Sequence, residues 1–112
     1  MRDKLLEAAS HGNWSKVRTL LAKGSDPNVC DEYGYTALIL AASEGNAPMV
    51  VELLERGADP NARAQSGWTA LLWASSMDFP DVLEHLLSHG ADPEAVDQYG
   101  ATPLMKACRR GH

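Results

Sequence analysis

Apolar and polar positions alternate along this chain in the pattern of short amphipathic helices. Leu38, Ala41 and Ala42 recur at intervals of three and four residues, which places them on one face of a helix. A second segment carries Val50, with Leu53 and Leu54 after it, on its own apolar face. The pattern therefore predicts pairs of short helices that each bury one side.

Capping and turn residues mark the ends of these helices. Gly34 lies in a tight turn that calls for a positive φ, and Thr36 follows where its hydroxyl can cap the first helix. Gly45 ends that helix, and Pro48 is tolerated in the first turn of the second helix. Gly57 closes the second helix at the C-cap. Each helix pair is followed by a segment that leads into the next turn.

The same signals recur every 33 residues. Gly34, Gly67 and Gly100 share this spacing, and the text around them repeats as YGYTALILAA at 33–42, SGWTALLWAS at 66–75 and YGATPLMKAC at 99–108. A unit of this size cannot bury its apolar face alone, so it must stack on its neighbours. A fixed period of this length predicts a solenoid.

These motifs resemble the ankyrin repeat. The resemblance covers almost the whole chain, because LLERGADPNA at 53–62 also matches the segments at 20–29 and 86–95. It implies an all-α fold (an α-solenoid), an ankyrin-type stack of helix pairs with projecting β-hairpins, in about three and a half repeats. We expect one domain over residues 1–112, divided into an N-terminal capping repeat (1–30), repeat two (31–63), repeat three (64–96) and a partial repeat four (97–112).

The two ends of the expected stack differ. Lys4 and Glu7 stand where later units carry residues such as Ala37 and Leu40, which is typical of a polar cap. At the other end the fourth unit lacks a second helix, so we expect an outer side without a neighbour, formed by Val82, Leu83, Leu86 and Leu87. We interpret this as a truncated array with an open end that favours self-association. The alternative is that a short polar half-repeat is a sufficient cap.

Composition and charge narrow the class of partner. The chain is 45% hydrophobic and 22% charged, which is ample for a folded, soluble domain. Its net charge of −5 argues against non-specific binding to nucleic acid or anionic lipid, and no apolar stretch approaches membrane-spanning length. We therefore expect another protein as the partner, no nucleic acid and no membrane.

Cys30 and Cys108 lie far apart in the array and are expected to be free thiols. The expected location is intracellular, in the cytoplasm, with the nucleus as the alternative.

Enzymatic chemistry finds little support in the sequence. His85 and His89 have the i, i+4 spacing of a metal-ligand pair, but the segment lacks the internal Glu of the metalloprotease motif. Neither cysteine has a basic partner that the repeat pattern would place beside it. We expect no enzyme, no catalytic residue, no cofactor and no metal site.

The resemblance also implies where a partner would bind. In the ankyrin family, targets are generally held by the hairpin tips and by the concave face of the first helices. Carried over to this chain, the expected partner-binding residues are Glu32, Tyr33, Tyr35, Glu44, Gln65, Trp68, Trp73, Met77, Gln98, Tyr99, Arg109 and Arg110. Tyr and Trp are enriched at binding hot spots. The alternative is that the rings pack on adjacent hairpins and stiffen the array, and Trp73 in particular could either fill a gap between units or line a groove.

Two functional hypotheses follow. The first is a scaffold or adaptor module that recognises a segment of another protein. The second is a regulator that inhibits an enzyme or transcription factor by docking over its folded surface. Asn28 and Asn61 are in addition similar to the residues that asparaginyl hydroxylases modify in ankyrin repeats, whereas Glu94 breaks that pattern in the third repeat.

Overall fold

The computed structural model describes residues 4–110, with side chains described as far as Cys108. This part of the chain forms helices α1 (Lys4–Ser10), α2 (Trp14–Ala22), α3 (Ala37–Ser43), α4 (Ala47–Glu55), α5 (Ala70–Met77), α6 (Pro80–Ser88) and α7 (Pro103–Arg110). Helices take up about half of the chain, and no extended strand occurs among the described residues. The predicted all-α stack of helix pairs is confirmed. None of these helices has the length and apolar character needed to cross a membrane.

The helices are arranged in two layers. The first helices of successive pairs pack in the order α1, α3, α5 and α7, while α4 packs on α6 in the second layer. Small side chains allow this close stacking, since Ala37, Ala41 and Ala74 are each fully buried between neighbouring helices. The resulting body is elongated, with extents of 39 × 26 × 22 Å, as expected of units added along one direction.

Threonine side chains cap α3 and α5, as predicted for Thr36, while the C-cap of α4 is Arg56 and not Gly57, which follows it. Thr36 Oγ1 accepts a hydrogen bond from the backbone N–H of Ile39 at 3.2 Å, and Thr69 Oγ1 accepts one from Leu72 at the same distance. Such a cap contributes about 1 kcal/mol to stability. The two threonines fix where α3 and α5 begin, and with them the direction of the loops that precede these helices.

Gly34 and Asp78 are two examples of turn residues with a left-handed backbone. Gly34 has a φ of +83°, and a Cβ at this residue would lie only 3.0 Å from the Cα of Ala64 in the next unit. Asp78 occupies a position that is glycine in the first two units, and it adopts a left-handed conformation with a φ of 59°. Asp tolerates this region better than most residues.

Three loops project from the stack, and we call them finger A (31–35), finger B (64–68) and finger C (97–101). Each is closed by one backbone hydrogen bond across its base: Asp31 N to Tyr35 O, Ala64 N to Trp68 O, and Asp97 N to Ala101 O, all between 3.0 and 3.1 Å. In the described part of the chain, ladder pairing is limited to an isolated bridge between Cys30 and Thr36. The projecting hairpins are thus minimal turns without extended strands.

The outer side of α6 is less open than expected. Val82 and Leu86 are buried, because they face the core formed with α4 and α5. Leu83 is half-buried and Leu87 is 47% exposed, so these two residues form the outward side. The expectation that all four residues lack a neighbour is therefore wrong for Val82 and Leu86. At the opposite end Lys4 and Glu7 are exposed, as a polar cap requires.

Candidate functional site

The three fingers are joined edge to edge by backbone hydrogen bonds. The N–H of Gln65 on finger B donates to the carbonyl of Tyr33 on finger A at 2.8 Å, and the N–H of Gln98 on finger C donates to Ser66 O at 3.0 Å. Gly67 permits this approach, since a Cβ there would lie 3.1 Å from Gln98 N. The fingers therefore form one continuous edge.

Aspartates hold two of the fingers from within. Asp31 Oδ1 accepts hydrogen bonds from the N–H groups of Tyr33 and Tyr35, each at 2.9 Å. Asp97 Oδ1 makes the equivalent pair in finger C, with Tyr99 N at 2.8 Å and Ala101 N at 3.0 Å. In this way, short polar side chains fix the backbone of the residues that carry the aromatic tips.

A groove of about 360 Å³ opens along this edge. It is lined by Tyr33 and Tyr35 of finger A, Gln65 and Ser66 of finger B, and Gln98 of finger C. Four of these residues were selected from the sequence as partner-binding, and Ser66 is a tip position of the same repeat pattern. The structure thus brings one third of the predicted site residues together in a single concave surface that spans all three fingers.

The predicted tip residues differ in how far they reach into solvent. Tyr99 is 84% exposed and Tyr33 is 54% exposed, and Glu32 also lies in the open. Tyr35 is half-buried and packs against the hydrophobic core with one side while it lines the groove. Exposed tyrosines on a fixed backbone are suited to bind a partner, because they offer large contact area with few rotatable bonds to order.

Trp68 and Trp73 pack on each other. Their ring centroids are 4.7 Å apart with the planes tilted by 48°, and Trp73 also contacts the core cluster. The indole N–H of Trp73 is buried without an acceptor among the described residues. Neither tryptophan lines the groove. Of the two interpretations of Trp73, the filling of a gap between units fits this arrangement better.

Lys106 on α7 closes the same cluster. Its ammonium nitrogen lies 4.2 Å from the centroid of the Trp68 ring and 2.7 Å from Oδ2 of Asp97. The hydrogen bond from Lys106, followed by that from the Ala101 N–H, lowers the pKa of Asp97 to about 2, although burial of the carboxylate opposes this shift. Asp97 therefore stays ionised at neutral pH. Sequence reasoning missed this link, and its signal was a lysine at the repeat position held elsewhere by Leu40 and Trp73.

The remaining predicted residues lie outside the groove. Glu44 caps the C-terminal end of α3 and Met77 ends α5; both are exposed. Arg109 and Arg110 belong to α7, and their side chains lie outside the described part of the structure. The assignment of these four residues to a concave binding face stays a prediction.

Asn28 and Asn61 connect neighbouring repeats. Asn28 donates from Nδ2 to Gly57 O at 3.0 Å and accepts at Oδ1 from Asp59 N at 2.6 Å. Asn61 repeats both bonds one unit later, with Gly90 O at 3.0 Å and Asp92 N at 2.7 Å. This gives the two side chains a structural role between loops. Their hydroxylation stays a prediction.

His85 lies on α6 and His89 follows the last residue of that helix. The His89 Nδ1 atom lies 2.9 Å from the carbonyl oxygen of His85, one turn earlier in the chain. Among the described residues, no group of three or more His, Cys, Asp or Glu side chains is arranged to hold a metal ion.

A family model described as ankyrin repeats (3 copies) matches residues 5–97. The match covers most of the chain and agrees with the stacked helix pairs and projecting fingers. The chain belongs to the ankyrin repeat family. Ankyrin repeats are generally protein–protein interaction modules and are typically non-enzymatic. No match to the chain is found among curated proteins.

Proposed function

We propose that this protein is a non-catalytic scaffold or adaptor module that binds a segment of a partner protein along its fingers. The observation that carries this proposal is the groove of about 360 Å³ lined by Tyr33, Tyr35, Gln65, Ser66 and Gln98. The groove is open to solvent and combines two aromatic rings with polar side chains. A surface groove that runs across all three fingers is suited to an extended peptide segment.

The rigidity of the finger edge supports the same conclusion. The bonds from Gln65 N to Tyr33 O and from Gln98 N to Ser66 O hold the groove in shape before a partner arrives. Binding to a preformed surface avoids the loss of loop entropy that otherwise opposes association. Tyr99 extends beyond the groove on finger C and supplies a further exposed ring.

The test is a pull-down in which the wild type stands beside a Tyr33→Ala, Tyr99→Ala double variant. Both rings are exposed, so their removal should leave the fold intact while partner capture is lost. Glu84→Ala is the matched control, because Glu84 is an exposed residue of α6 away from the fingers. Capture that is equal for all three proteins would contradict the proposal.

A second candidate is an inhibitory regulator that docks over a folded enzyme or transcription factor. The exposure of Glu44 and Met77 at the ends of α3 and α5 favours it, because a folded target would contact these residues as well as the fingers. The two candidates differ in the size of target required. A short peptide that binds as well as the intact partner supports the adaptor, whereas dependence on a folded partner supports the regulator.

We also propose self-association through the exposed apolar side chains of the last two helices, Leu87 of α6 and Leu104 and Met105 of α7, which we call the C-terminal face. Leu104 is 73% exposed and Met105 is 53% exposed. Their equivalents one unit earlier, Leu71 and Leu72, are 2% and 0% exposed. These positions are apolar because the next unit of an array packs over them, as α7 packs on α5.

The opposite end of the array is a poor partner for this face. It presents the exposed charges of Lys4 and Glu7, which head-to-tail stacking would bury. A two-fold contact between two C-terminal faces would instead place apolar side chains against apolar side chains.

A further inference from the structure

The groove along the fingers has no charged lining. It presents two phenol rings from Tyr33 and Tyr35, two primary amides from Gln65 and Gln98, and the Ser66 hydroxyl. This lining is uncharged in a chain whose net charge is −5. It offers no partner for an ionic group on a ligand, so selection must rest on packing and neutral hydrogen bonds.

The charged side chains Asp31, Asp97 and Arg63 make hydrogen bonds or ion pairs within the protein. Asp31 accepts from two backbone N–H groups of its own finger, and Asp97 is paired with Lys106. The Arg63 guanidinium donates to the carbonyl of Val96. Glu32 differs from these, since it is exposed on finger A, but it does not line the groove. These charged side chains therefore make contacts within and between the fingers, and none of them lines the groove.

The polar groups of the lining are available to a ligand. Within the part of the chain that the structure describes, the side-chain amides of Gln65 and Gln98 make no hydrogen bond, and neither do the hydroxyls of Tyr33 and Tyr35. A primary amide offers both donors and an acceptor, which is the complement of a peptide main chain. The two tyrosine rings lie on finger A, where they can pack on a ring or an aliphatic side chain, and the amides lie on fingers B and C.

A polyproline II segment matches this combination. Its backbone carbonyls point outward without internal hydrogen bonds, and its proline rings pack well on aromatic side chains. Such a segment is also largely extended before binding, so it loses little entropy when it enters a preformed groove. Acidic and basic peptides find no matching group in the lining.

We propose that the groove binds an extended, uncharged, proline-containing peptide segment. Its rings pack on Tyr33 and Tyr35, and its main chain is hydrogen-bonded by Gln65 and Gln98. This inference rests on the proposed adaptor function and specifies the chemistry of the partner segment.

The first test is selection from a library of random displayed peptides with the wild-type protein, followed by affinity measurements on the selected peptides. We expect enrichment of neutral, proline-containing sequences. Their dissociation constants should change by less than about twofold between about 50 mM and about 500 mM sodium chloride, because screening acts on charged pairs. Enrichment of charged peptides, affinity that falls about tenfold with salt, or no enrichment at all would overturn the proposal.

The second test locates the binding within the groove. Gln98→Glu keeps the size of the side chain but removes its hydrogen-bond donors and adds a charge. The variant should therefore bind a neutral peptide with roughly three- to tenfold lower affinity. A basic peptide would instead bind this variant more tightly. Glu84→Gln on α6 is the matched control and should bind as the wild type does, with thermal unfolding recorded for both variants. If Gln98→Glu and Tyr33→Ala both leave affinity unchanged, the groove is not the site.

These outcomes separate the two proposals. If partner capture depends on Tyr33 and Tyr99 but the selected peptides are charged, the adaptor function is supported and the assignment of a neutral peptide is wrong. Capture that is indifferent to the fingers would remove both.

Discussion

The ammonium group of Lys106 lies 2.7 Å from the buried carboxylate of Asp97. Because Lys106 is on α7 and Asp97 begins finger C, this ion pair ties the last helix to the finger edge. The same ammonium lies over the Trp68 ring of finger B. One lysine thus links two fingers to the helix that follows them.

We expect Lys106→Met to loosen this end of the molecule. The substitution retains an unbranched apolar stem but removes the charge, and it leaves Asp97 buried without its partner. The melting temperature should fall, and amide hydrogen exchange should rise in α7 and finger C before it rises elsewhere. Arg18→Met is the control, since Arg18 is an exposed member of an ion pair with Glu52 and contributes little. Equal changes in the two variants would contradict the special role of Lys106.

The lowered pKa of Asp97 predicts a specific pH dependence. A carboxylate whose pKa falls from 3.8 to about 2 on folding stabilises the native state above pH 3.8. That contribution is lost as the pH falls through the range between these two values. The wild type should therefore be more stable than Asp97→Asn at neutral pH, and the difference between their melting temperatures should shrink towards pH 2. A difference that is constant from pH 6 to about 2 would contradict this assignment.

The aromatic residues of the fingers should separate into two groups by stability. Trp68 packs between Trp73 and Lys106, so Trp68→Ala is expected to lower the free energy of unfolding by about 1–3 kcal/mol. Tyr99 is 84% exposed, and Tyr99→Ala should change it by less than about 0.5 kcal/mol. Urea denaturation of the two variants beside the wild type measures both values. A large loss on Tyr99→Ala would show that its ring packs in solution.

Much of the fold could be predicted from the sequence because its signals are local. Thr36 and Gly34 act through their own backbone conformation and the first turn of one helix, and both behave as expected. The 33-residue period then determines how the units stack. Local chemistry repeated in register is sufficient for this class of fold.

The candidate site depended on contacts that the repeat pattern does not encode. Trp68 and Tyr35 occupy the same place in their units, yet Trp68 is drawn into a cluster by Lys106, which is 38 residues away in the sequence. The helical period likewise groups Leu86 with Leu87, but the position of the neighbouring helices decides that Leu86 is buried and Leu87 is exposed. These placements depend on side-chain partners from a different unit, which the repeat pattern alone does not supply.

Binding through the groove should depend on Tyr33. We expect Tyr33→Ala to weaken partner binding by about 1–3 kcal/mol, as the loss of an exposed hot-spot ring does, with an unchanged melting temperature. Tyr33→Phe should keep most of the affinity if packing on the ring dominates. Isothermal titration with the captured partner, or with a peptide selected on the wild type, measures the effect. Parallel losses of affinity and stability would instead assign the ring to packing.

Self-association through the C-terminal face should be abolished by one charge. Leu104 is 73% exposed, so Leu104→Glu should not disturb the core, but it would place two carboxylates in a two-fold contact between faces. Sedimentation velocity should show a concentration-dependent shift towards dimer for the wild type and monomer alone for the variant. Glu7→Lys at the opposite end is the control and should dimerise as the wild type does, which distinguishes the two-fold contact from head-to-tail stacking. A wild type that sediments as a monomer up to the highest attainable concentration would rule out this interface.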